Sequence, residues 1–94
     1  MTVVEVLKEA RRKIDEIGWC QKKMMVGMRK APQAFCALGA IRYTTRSDQL
    51  VLSAIRALQL TIHEGNIAHW NDHRRRTKAQ VLAAFDRAIA RAES

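Results

Sequence analysis

Proline occurs once and aromatic residues make up 5% of this 94-residue chain. Little in it breaks helices, and few rings are present to favour sheet. Repeats and low-complexity segments are absent, which excludes solenoid and fibrous architectures. The longest apolar run, Phe35–Ile41, falls far short of the ~20 residues that cross a bilayer. No charged segment followed by an apolar one opens the chain, so no secretory leader is expected and the cytoplasm is the expected compartment. Cysteines are scarce as well. Cys20 and Cys36 are read as reduced, buried thiols, with a disulfide between them as the alternative their spacing allows.

Abundant Ala, Leu, Arg and Lys favour helix, and 48% hydrophobic residues exclude a disordered tail. The length suits one helical domain over residues 1–94, able to bury a core of modest stability. The formal net charge is +8, from 17 Lys and Arg against 9 Asp and Glu. Met1–Ile17 is neutral, whereas Gln21–Pro32 contributes +4 through Lys22, Lys23, Arg29 and Lys30. Gly65–Arg76 contributes +2, with Arg74, Arg75 and Arg76 against Asp72. Most of the excess charge thus falls in connections, where it speaks to partners rather than to fold.

Thr2 and Glu5 form a capping box that opens a helix over Val3–Ile17, which Gly18 stops in left-handed geometry. Trp19 folds back onto the core. The basic stretch that follows reads as a long loop, with a short hairpin around Gly27 as the alternative. Pro32 suits the first turn of a short buried helix over Ala34–Tyr43, in which Gly39 admits close approach of another helix. A buried strand competes for that apolar stretch. Ser47 or Asp48 caps a third helix over Gln49–His63, apolar nearly all round, so central in the bundle or covered by a second subunit. Asn66–Asp72 is a connection anchored by Trp70, and Thr77 with Gln80 opens the last helix over Lys78–Ala92. The expected fold class is all-α: a small four-helix array with one short helix and the basic loop after helix one.

Three motifs stand out: Gly-Trp-Cys-Gln at Gly18–Gln21, Phe-Cys-Ala-Leu-Gly-Ala at Phe35–Ala40 and His-Trp-Asn-Asp at His69–Asp72. In this order, ahead of an amphipathic stretch ending in Phe85-Asp86-Arg87-Ala88, they resemble a family of small uncharacterised proteins of actinobacteria and the phages that infect them. The resemblance covers most of the chain and implies a phage or actinobacterial accessory protein that binds a host or cellular protein. For Trp19, Cys20, Cys36, Gly39, Trp70, Asn71 and Asp72 the favoured role is structural. Trp70 plugs one end of the bundle, and Asn71 and Asp72 bond to backbone groups in an Asx-type turn.

Catalytic chemistry has one candidate. Cys36 near a helix start, with Gln21, His69 and Asn71, superficially resembles a papain-like set. No sheet is expected to carry the histidine, and the apolar neighbours of Cys36 suit an inert thiol, so the chain is read as non-enzymatic. The two cysteines and His63, His69 and His73 lack zinc-ligand spacing, so no metal or cofactor is expected.

The expected function is a non-catalytic interaction module. Its contact surface is Met24, Met25 and Met28 within a rim of Lys22, Lys23, Arg29, Lys30, Arg74, Arg75 and Arg76, facing an acidic protein surface. Nucleic acid is the rival partner, although neither a recognition helix nor an aromatic RNA platform is evident. A homodimer through helix three is a further expectation. A phage-encoded protein would act in the host cytoplasm.

Overall fold

The computed structural model describes all 94 residues. Its first helix, α1 (Val3–Arg12), begins at the expected capping box: Glu5 N–H donates to the Thr2 hydroxyl at 3.1 Å and Thr2 N–H to the Glu5 carboxylate at 2.8 Å. The helix runs on through one wide π-turn, Lys13–Ile17. Gly18 then departs from expectation. At φ 152° and ψ 161° it is extended on the positive-φ side rather than left-handed helical. A Cβ there would lie 2.6 Å from the Gln33 carbonyl oxygen. The chain passes along the segment ending at Phe35, with Phe35 N–H donating to the Gly18 carbonyl and Cys20 N–H to the Phe35 carbonyl.

The fold is α+β, which corrects the all-α expectation. Strand β1 (Met25–Met28) pairs antiparallel with β2 (Ala31–Phe35) across a two-residue connection, Arg29-Lys30. Neither connecting residue has positive φ, so this is not the primed turn that an Asn-Gly pair signals. A bulge between Val26 and Gly27, with Gly27 at φ 95°, supplies the added twist. Pro32 lies in β2 opposite Gly27 rather than in a helix, where an isolated hairpin tolerates its missing N–H. The apolar run assigned to one helix is therefore divided. Its first residues finish β2, and α2 occupies only Ala37–Arg42.

Helix α3 (Asp48–Ile62) is capped by Ser47, whose hydroxyl accepts from Leu50 N–H at 3.3 Å. It ends at His63, itself left-handed at φ 56°. The anchored connection holds a fifth helix, α4 (Ile67–Asn71), capped by Asn66. The second capping box, Thr77 with Gln80, opens α5 (Lys78–Glu93) as expected.

Helices α1, α3 and α5 pack on one another around a core that includes Leu7, Ala10, Ile14, Ala54, Leu58, Ala84, Phe85 and Ala88. Alanine at so many contacts lets the helix backbones approach closely. On the wet side Arg11 bonds Asp86 at 2.6 Å and Lys8 bonds Glu93 at 3.2 Å. These exposed pairs contribute little beside the core. The α3 helix turns Val51, Ala54 and Leu58 inward and leaves Leu52 and Leu60 to solvent. No helix is long and apolar enough to cross a membrane.

A two-stranded hairpin has marginal stability alone, and this one is held where the residue preceding β1 meets α2. A Cβ on Gly39 would lie 1.9 Å from the Met24 carbonyl oxygen. The close approach expected at this glycine is real, but the neighbour is the loop backbone that leads into β1, not a helix. Gly39→Ala should lower unfolding free energy by about 2 kcal/mol or more, whereas Gly65→Ala, with nothing within 4 Å, should stay within about 0.5 kcal/mol of wild type. Urea denaturation of the two variants measures both.

Candidate functional site

The three sequence motifs converge on one side chain. Asn71, at the end of α4, is 0% exposed. A buried carboxamide with unmet bonds costs about 1–3 kcal/mol per group, and here every bond is met. Its Oδ1 accepts from the Trp19 indole N–H at 2.8 Å and from Ala37 N–H, the first residue of α2, at 3.0 Å. Its Nδ2 donates to the Cys20 carbonyl at 3.1 Å and to the Asp72 carboxylate at 3.1 Å. The expected local Asx turn is therefore a long-range junction instead, joining the loop after α1, the start of α2 and the end of α4.

Flanking bonds tighten it. The Gln21 side-chain amide donates to the carbonyls of Asn71 and His73 at 3.0 and 2.8 Å. Lys22, left-handed at φ 68°, donates its N–H to Asp72 at 2.7 Å. Both cysteines are free thiols. Cys36 is the N-cap of α2, its sulfur accepting from Gly39 N–H at 3.2 Å, and the Cys20 thiol donates to the Lys23 carbonyl at 3.4 Å. Burial pushes the Cys36 thiol above its ordinary range, and burial followed by the nearby Cys36 does the same to Cys20. The Cys36 sulfur is thus buried and engaged in capping α2, while Cys20 is half-buried. His69 is exposed on α4 and makes no bond to Cys36. No three His, Cys, Asp or Glu side chains cluster as metal ligands.

The expected contact residues fall into separate groups. Lys22, Lys23 and Met24 line a small pocket of about 110 Å³ beside Cys36 and Asp72. Met28 and Lys30 are exposed at the hairpin tip. Met25 and Arg29 line a different groove, of about 300 Å³, with Pro32 and Phe35. Arg76 folds over Trp70, its guanidinium 4.2 Å from the ring centroid and its Nε–H donating to the Trp70 carbonyl at 2.9 Å. Arg74 and Arg75 remain exposed. No one cavity gathers these residues.

Over residues 1–91 the chain matches the model of a family of unknown function, DUF6197. It belongs to that family. No curated protein and no solved structure matches it.

In this DUF6197 protein the larger groove also holds residues that charge counting along the chain overlooked: Lys13 from the π-turn, Arg42 from α2, and Thr45 and Arg46 from the α2–α3 connection. Arg42, Thr45 and Arg46 lie in no basic run, and Lys13, although it follows Arg11 and Arg12, belongs to a segment of zero net charge.

Asn71→Leu should cost about 3–5 kcal/mol, because it strands the Trp19 and Ala37 N–H groups and the Cys20 carbonyl. Adding Trp19→Phe should then cost less than it does alone, a coupling that a double-mutant cycle by urea denaturation reads directly. The thiols give a pH signature. Their folded pKa values are raised, so the folded chain keeps protons that the unfolded chain releases above about pH 8.5. Stability from this source is complete below that pH and declines as pH rises through the folded values. Cys20→Ser/Cys36→Ser should flatten the decline in stability measured from pH 8 to 10.

Proposed function

We propose that this protein is a non-catalytic interaction module, a phage or actinobacterial accessory protein that works in the cytoplasm by docking an acidic surface of a host or cellular protein. The reading rests on how charge is distributed over the fold. Six of the nine acidic residues, Glu5, Glu9, Asp15, Glu16, Asp86 and Glu93, lie on α1, its π-turn and α5. There all but Glu5, which serves the capping box, pair with Lys8, Arg11 and Arg12. On the hairpin and the α4–α5 connection the single acid is Asp72, already bonded by Lys22 N–H and Asn71. The cations Lys23, Arg29, Lys30, Arg74 and Arg75 join no ion pair. Met28, 70% exposed beside two of them, supplies an apolar anchor within a charged rim, the composition of a protein-docking surface. The raised Cys36 thiol weighs against a hydrolase.

Photo-methionine at position 28, activated in cells, tests the reading. One dominant adduct with an acidic protein is expected, and Arg29→Glu/Lys30→Glu should reduce its yield at least about tenfold while helicity stays unchanged. Adduct yields unaffected by charge reversal would overturn it. Filter retention of nucleic acid that falls steeply with added salt would replace it with a nucleic-acid-binding role.

A further inference from the structure

The groove between the hairpin and α2 has only cations among its charged lining residues. Its volume is about 300 Å³, and Lys13, Arg29, Arg42 and Arg46 reach it from four different segments with no acidic residue among the lining. None of these four cations joins an ion pair. Two rest on aromatic faces instead: Lys13 lies 5.7 Å from the Phe35 ring centroid and Arg29 lies 5.1 Å from that of Tyr43. A stacked guanidinium keeps its in-plane N–H donors for a ligand. The Thr45 hydroxyl oxygen accepts from Ser47 N–H at 3.2 Å, which leaves its proton to donate. The backbone N–H groups of Thr45 and Arg46 enter no backbone hydrogen bond. Donors of three kinds therefore gather around one concavity that holds no counter-charge.

The geometry points to a binding site for the diphosphate group of a small molecule. Guanidinium forks match phosphate oxygens in pairs. A single phosphate ester brings about −1.5 to −2 of charge, and a carboxylate less, so two linked phosphates answer four cations best. The volume lies at the lower end of small-ligand cavities, enough for a diphosphate and part of its organic remainder against Met25 and Pro32. This site stands apart from the protein-docking surface; Arg29 is the one residue they share.

Calorimetric titration of the intact chain at low ionic strength, with inorganic pyrophosphate, ADP and orthophosphate as probes, tests the assignment. Pyrophosphate and ADP should each bind one per chain, at least about tenfold more tightly than orthophosphate. A preference for ADP assigns an organic diphosphate, and a preference for pyrophosphate the free anion. Arg42→Gln/Arg46→Gln, both exposed side chains, should weaken binding at least about tenfold, whereas Arg74→Gln/Arg75→Gln, an equal loss of charge elsewhere, should change it less than about twofold. Lys13→Gln checks the same groove from another segment, and circular dichroism confirms that each variant is folded. No binding at millimolar pyrophosphate, equal loss in the two double variants, or orthophosphate binding as tightly as pyrophosphate would overturn the site.

Discussion

With no solvent to bond to, the Asn71 carboxamide must find its partners inside the fold, and three of its four bonds go to segments 34 to 52 residues distant in the chain. One acceptor oxygen serves both an indole and the first N–H of α2, and one amide nitrogen ties down the loop after α1. A helix as short as α4 gains little from its own hydrogen bonds. Its place is fixed because its last side chain is the knot between three connections. Gln21 and Asp72 add backbone bonds on either side, so the segment from Trp19 to Lys22 has little freedom left.

From that fixed segment the chain enters the hairpin, and the hairpin has one seat. Gly39 presents bare backbone to Met24, closer than any side chain would allow, and Cys36 N–H bonds to the Met24 carbonyl at 3.1 Å. This seating has an electrostatic consequence. It stands the Arg29-Lys30 connection over the end of α2, and so brings Arg29 to the same groove as Lys13, Arg42 and Arg46. Meanwhile ion pairs neutralise the α1–α5 face. Charge spread along the sequence becomes a molecule with one balanced face and a separate cationic groove.

The three long helices were legible because each carries its own punctuation. Thr2 with Glu5 and Thr77 with Gln80 close capping boxes within four residues, and Ser47 caps α3. Such bonds need nothing from the rest of the fold. The hairpin was legible only as the alternative to a loop, since its turn lacks the positive-φ pair that announces one, and a bulge and Pro32 interrupt the alternation. For the same reason the run from Ala34 to Tyr43 read as one element: apolar residues are alike whether they finish a strand or begin a helix.

The sequence by itself determined the three long amphipathic helices, their caps, the buried character of Cys36 and the excess of positive charge. Those properties depend on residue type and on neighbours three or four positions away. Tertiary structure alone decided that Asn71 is a junction rather than a local turn, that the backbone of Met24 crosses Gly39, and that Lys13, Arg42 and Arg46 share a groove with Arg29. Each of these is a contact between distant segments, and which segments meet is settled by how the apolar faces pack, a choice that no short stretch of chain contains.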